Sequence, residues 1–229
     1  MGDSYTERAS RLDGAKAWTL SVEPGTVHPV LPDGCMDLLW SGERLLVAGP
    51  DTHTAPATGG NWAGIRFAPG AAPALLGVPA HELRDLRVPL AALWPGAPVR
   101  RLTERVAEAA DPAAALEDIA LDRAARTGPP DPVMRAVATH LEAGGSVAEA
   151  ARSAGLGPRQ LHRRSLTAFG YGPKTLARVL RLQRALALVR SGLPYADAAL
   201  AAGCADQAHL ARDMRDLAGT TLTAYFGRP

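Results

Sequence analysis

Cysteine, long apolar runs and clustered metal ligands are what this chain lacks. Its two cysteines, Cys35 and Cys204, lie far apart, and no Cys-x-x-Cys is present. That argues against a disulfide framework or a zinc finger, and Cys204 reads as a small core filler. No apolar run approaches the roughly 20 residues needed to cross a bilayer, so no membrane partner is expected. The opening stretch MGDSYTERASRLDGAK is polar and mixed in charge. It has no apolar core of the kind a secretory signal needs, which places the expected location in the cytoplasm. His28, His53 and His81 are scattered where a metal site needs clustered ligands, and neither metal nor cofactor is expected.

The net charge is only +2, but it is unevenly spread. Residues 128–229 hold 13 Lys and Arg against 7 Asp and Glu, a balance of +6; the first 127 hold 12 against 16, or −4. A basic half joined to an acidic half suggests a polyanion for the basic one. The length of 229 residues allows two modest domains, and TGPPDP at 127–132 is the best linker between them.

The basic half reads as helix and turn throughout. Asp131 and Pro132 open a helix over 132–142, stopped at Gly144 and Gly145. Ser146 and Glu149 form a capping box for a short helix. After a turn at 154–157, Pro158 starts a second helix that runs to about Phe169. A short helix, a glycine-containing turn and a second helix is the helix-turn-helix layout. On the second helix Leu161, Ser165 and Ala168 share one side, while Arg159 and Arg163 lie opposite with His162 flanking. A long helix follows from Pro173 to about Ser191. The pattern then repeats, with a short helix over 195–202, a turn, and a helix from Asp206 to about Leu217. Its inner face is Leu210, Met214 and Leu217; Ala208, Arg212 and Arg215 lie opposite, with His209 flanking. An arginine fork pairs well with guanine O6 and N7, so both outward faces suit reading double-stranded DNA.

PRQLHRR at 158–164, RLQRAL at 181–186 and GCADQAHLARDMRDLAGTTLTAY at 203–225 closely resemble the AraC/XylS family of bacterial transcription activators. The resemblance covers residues 131–227. It implies two helix-turn-helix units held by a central helix, with their second helices in successive major-groove segments, and RNA polymerase as a partner. It makes Arg159, His162 and Arg163 base readers of the first unit, and Ala208, His209 and Arg212 those of the second. Arg164, Lys174, Gln207 and Arg215 would contact phosphate, which positions without reading sequence. The chain departs from the family at Ser165, Cys204 and Met214, where phenylalanine is usual, and at Leu222, where proline is usual. Leu166 lies near the DNA face, either against a neighbouring helix or against a thymine methyl.

In the acidic half, short apolar runs at 18–22, 36–40, 44–49 and 62–67 read as strands bounded by turns. Residues 71–77, 99–109 and 112–126 read as helices. HPVLPDGCMDLLW (28–40), AGPDT (48–52) and GIRFAPGAAPALLGVPAHELRD (64–85) resemble the N-terminal domain of some AraC-like regulators of high-GC bacteria. Such domains are small barrels followed by helices that bind an effector, dimerise, or do both. The expected fold is therefore an α+β domain over 1–127, a small β-barrel or sheet followed by helices. An all-α domain with two helix-turn-helix units joined by a long helix follows over 128–229. Trp40, Trp62 and Phe67 offer apolar walls for a small-molecule effector, and Cys35, Asp37 and Arg66 offer polar anchors. Arg66 points either inward to an anionic ligand or outward to water. Two alternatives stay open: a homodimerising half with no ligand, and an enzyme or thiol redox sensor built on Cys35.

Overall fold

The computed structural model describes residues 4–227. Residues 1–3 and 228–229, the outer ends of the two expected domains, lie outside the described residues, as does Arg228 of the basic count. The first half contains β1 (Ser4–Ala9), β2 (Ala15–Val30), β3 (Met36–Trp40), β4 (Leu45–Ala48), β5 (Ala55–Phe67) and β6 (Arg87–Pro89). They form one open antiparallel sheet in the order β1-β2-β5-β3-β4-β6. Of the two expected forms, barrel or sheet, the sheet is present. α1 (Ala72–Leu76) lies between β5 and β6, and α2 (Gly96–Ala107) and α3 (Pro112–Ala124) follow the sheet.

Successive strand residues point to opposite faces, and each face has its own apolar cluster. Ala17, Leu38, Trp40, Ile65 and Phe67 pack with Leu116 and Ile119 of α3 in the main core. Trp18, Leu20, Val22, Leu39 and Ala48 form a smaller cluster from the other parity, with Trp62 against it. Trp18 pairs across the strands with Gly64. A Cβ at Gly64 would lie 2.4 Å from the indole, so only glycine lets that ring lie flat on β5.

The edge strand β1 is exposed at all six positions. It is tied to α3 by Glu117, which is 1% exposed. The Glu117 carboxylate accepts hydrogen bonds from both Arg8 Nη atoms at 3.1 and 3.2 Å, from Arg11 Nε at 2.8 Å and from the Arg11 backbone at 2.7 Å. Burial pushes this carboxyl up, but those donors outweigh it and hold it down to about 2.

The second half contains α4 (Pro132–Glu142), α5 (Val147–Ser153), α6 (Pro158–Phe169), α7 (Pro173–Arg190), α8 (Tyr195–Ala201), α9 (Gln207–Ala218) and α10 (Leu222–Phe226). The Asp131 side chain caps α4, Ser146 and Glu149 make the capping box of α5, and Asp206 caps α9. Thr221 caps α10, so Leu222 opens a helix at the place where the family has proline. One apolar cluster joins α4, α5, α6 and the start of α7, including Met134, Leu141, Leu161 and Leu176. A second joins the rest of α7 to α8, α9 and α10, including Leu182, Leu186, Leu210 and Met214. α7 thus belongs to both units and is the strut between them. Ser165 is fully buried, and its Oγ has no hydrogen-bond partner among the described residues.

The halves are docked on one another at several points. The 3₁₀ turn Ala80–Glu82 sits against the end of α6, where His81 Nδ1 lies 3.3 Å from the Leu166 carbonyl. This turn of α6 therefore faces the first half of the chain. Gln183 of α7 donates to the Pro32 carbonyl at 2.6 Å, and Thr54 donates to the Ala218 carbonyl at 2.9 Å.

Candidate functional site

The two outward helix faces come first. Arg159, His162 and Arg163 on α6 are exposed, as are Gln207, Ala208, Arg212 and Arg215 on α9 and Lys174 at the start of α7. Among the described residues, Arg159, Arg163, Lys174, Arg212 and Arg215 have no ion-pair partner. His162 lies over the α6–α7 connection, where a Cβ on Gly172 would be 2.9 Å from its ring. Each face is thus a group of uncommitted cations on the side of the helix away from the core.

The remaining arginines of this half are mostly spoken for. Arg164 donates to Asp131 at 2.5 Å, which ties the middle of α6 to the cap of α4. Asp213, 3% exposed, accepts from Arg178 at 2.5 Å and from Arg181 at 2.6 Å. His209 enters the same cluster: its Nε2 is 2.9 Å from Arg181 Nη2, and its Nδ1 is 3.3 Å from the Ala205 backbone nitrogen. The His209 ring is therefore held against α7, unlike Arg212 one turn further on. Arg178 and Arg181 thus bind α9 to the strut.

A cavity of about 950 Å³ opens between the two halves. Its sheet side carries Trp18, Leu20, Leu39, Trp62, Cys35, Asp37 and Arg66, and Gln183, Ala187 and Arg190 of α7 with Tyr225 of α10 form the opposite side. Two expected pocket residues are not in it. Trp40 and Phe67 have the other strand parity and pack into the main core, because β3 turns Asp37 and Leu39 one way and Trp40 the other. The sequence reading missed Trp18, Asp33, Asp51, Arg87 and all the α7 and α10 positions. Counting by twos from Asp37 and Arg66 would have separated Trp40 and Phe67 from them. The β2–β5–β3 order that adds Trp18 has no local signal.

Arg66 points into the cavity and is already engaged. Its Nε is 3.1 Å from Asp33 Oδ2 and 3.4 Å from Asp37 Oδ1. That N–H is buried and aligned with neither oxygen well enough to be hydrogen-bonded. Asp37 accepts the Trp18 Nε1–H at 2.7 Å. Burial, together with the Asp33 charge, pushes the Asp37 carboxyl up to about 6, against the opposing pull of Arg66 and the Trp18 bond. Burial also pushes the Cys35 thiol well up, and Asp33 and Asp37 add to it. A thiol held in its protonated form is a poor nucleophile and a slow redox sensor.

In this geometry a helical half with two helix-turn-helix-like units is docked on a sheet half across a cavity. Residues 150–228 match the family model described as a helix-turn-helix domain, and residues 15–89 match one described as a domain of unknown function (DUF6597). No curated protein sequence matches the chain. Among solved structures, a probable AraC family transcriptional regulator from Rhodopseudomonas palustris is 27% identical. That match covers 43% of this chain and 100% of the other, with a TM-score of 0.37. Apo ToxT from Vibrio cholerae has a TM-score of 0.51 at 9% identity, over 95% of this chain and 98% of that one. ToxT with an unsaturated fatty acid bound has the same score and identity, over 95% and 96%. The likeness to ToxT extends the shared fold across both halves. The match over residues 150–228 gives the second half a helix-turn-helix domain, and the likeness to ToxT is one of fold. No helix among the described residues is long and apolar enough to cross a membrane.

Proposed function

We propose that this chain is a one-component regulator in which a small molecule held in the cavity sets how the two units meet DNA. The observation that carries this reading is that the cavity is walled by both halves. The loop at residues 31–35 is the mechanical link. Asp33 and Cys35 face the cavity, while Gln183 holds the Pro32 carbonyl and Gly34 lies against Leu176 and Leu180 of α7. A ligand that moves this loop moves the strut shared by the two units. An effector acts only through different affinity for two arrangements, and the two arrangements here differ in the seating of α7.

On the DNA side, Arg159, His162 and Arg163 read one major-groove segment, and Ala208 and Arg212 read the next, about 34 Å along the duplex. His209 flanks the second face, while Lys174, Gln207 and Arg215 contact phosphate. Pairing into a homodimer and contact with RNA polymerase are the outputs a ligand would alter. ToxT has been seen with a fatty acid bound, which supports a ligand role for this fold. The test is footprinting of genomic fragments selected by the full chain, with and without a metabolite extract. The extract is expected to alter the footprint of wild type but not of Ala187→Trp, which fills the cavity from α7. A wild-type footprint indifferent to every extract fraction would favour the alternative in which the first half only dimerises.

A further inference from the structure

We propose that the cavity takes a cationic ligand, a protonated amine carried on an apolar body; this rests on reading the cavity as an effector site. The floor holds three carboxylates, Asp33, Asp37 and Asp51, and two guanidiniums. Arg87 is fully used by Asp51, with two hydrogen bonds of 2.6 Å. Asp33 and Asp37 are left to share Arg66, at 3.1 and 3.4 Å, and its buried Nε–H is hydrogen-bonded to neither. One more positive charge between those carboxylates would complete the site. An anionic head on this floor would instead meet Asp33, Asp37 and Asp51, where Arg66 and Arg87 are both already held by carboxylates; Arg190, which has no carboxylate partner among the described residues, stands on the opposite wall.

The rim does not reverse this balance. Lys16 is paired with Glu7 at 2.5 Å, and Arg190 lies against Tyr225 and Phe226. Glu142 has no partner for its carboxylate among the described residues, and burial pushes it up. The walls fit the rest of such a ligand. Trp18 and Tyr5 stand 6.1 Å apart, and Arg66 already lies 5.8 Å over the Trp18 ring, so a cation there meets an aromatic face. Trp62, Leu20, Leu39 and Ala57 supply apolar surface for a chain or ring. Asp37 is buried and Asp33 partly so, with its Oδ1 taken by the Cys35 backbone N–H at 2.9 Å; a buried carboxylate short of cation is costly to leave so, and Asp37 already responds by holding its proton more tightly.

Dodecylamine and laurate share an apolar chain and differ in the sign of the head. Each is titrated into the full chain at neutral pH by calorimetry, with tryptophan emission as a second signal. Dodecylamine is expected to bind wild type at least about tenfold tighter than laurate, and Asp33→Asn to weaken it by about the same factor, the worth of one charged hydrogen bond. Ala57→Trp, which fills the cavity, is expected to abolish binding. Laurate binding tighter than dodecylamine would overturn the cationic class while leaving the effector cavity standing. Binding of neither would overturn both. Dodecylamine binding unchanged in Ala57→Trp would place it elsewhere and overturn the proposal.

Discussion

Replacing Asp37 with asparagine is expected to stabilise the folded protein at neutral pH, although the side chain is buried and hydrogen-bonded. The carboxyl is 9% exposed and titrates near 6, against an ordinary value of 3.8. The folded state therefore binds this proton more tightly than the unfolded chain does. The associated stability is fully present below about pH 3.8 and is lost as pH rises through about 6. At pH 7.5 the ionised group costs up to about 3 kcal/mol relative to acid conditions. Asparagine cannot ionise, its Oδ1 can still accept the Trp18 N–H, and Asp33 still faces Arg66. Arg66 does lose one of two carboxylates, so roughly half of the gain survives, about 1–2 kcal/mol or about 2–6 °C in Tm. Thermal unfolding of both proteins at pH 4 to 8, without ligand, measures this. The variant should gain on wild type as pH rises through 6 and lose its advantage near pH 4. A variant less stable than wild type at pH 7.5, or a pH-independent offset, would show that ionised Asp37 is not a cost to the fold.

Glu117 has the opposite sign. Its pKa is depressed, so its contribution is present above about 4.5 and lost as pH falls through about 2. Glu117→Gln should cost about 1–3 kcal/mol at pH 7 in urea unfolding, with the gap closing in acid. Ser165→Ala removes a buried hydroxyl that has no partner among the described residues, and should raise stability by about 1 kcal/mol in the same assay. Gly64→Ala drives a methyl into the Trp18 indole; it should cost about 1–3 kcal/mol and shift tryptophan emission to the red.

Much of the helical half was legible because its signals are local. Asp131 before Pro132, Ser146 with Glu149, Pro158 and Asp206 each mark a helix start, and each does so in the structure. The 3.6-residue period set Leu161 and Leu210 inward and Arg163 and Arg212 outward. The sheet half was legible only where one face was strongly apolar, as at Met36–Trp40. β1 and the outer reach of β2 and β5 are exposed on both faces, so no alternation marks them. The cavity was the least legible feature. Asp37 and Arg66 meet because β3 and β5 pair, and Asp33 joins them because its loop is seated on α7. Those are long-range facts. The polarity of the site follows from them: Arg66, which alone suggests an anion site, is outnumbered once Asp33 and Asp37 are seen beside it.

The uncommitted arginines on α6 and α9 are expected to read two segments of one DNA site, and the decisive measurement is affinity for a footprinted site over a range of salt for wild type, Arg163→Ala and Arg212→Ala. Wild-type affinity should fall steeply with salt. Each variant should lose about 1–3 kcal/mol and relax specificity at a different half of the site. Affinity that does not change between low and moderate salt, and is the same in all three proteins, would contradict the account.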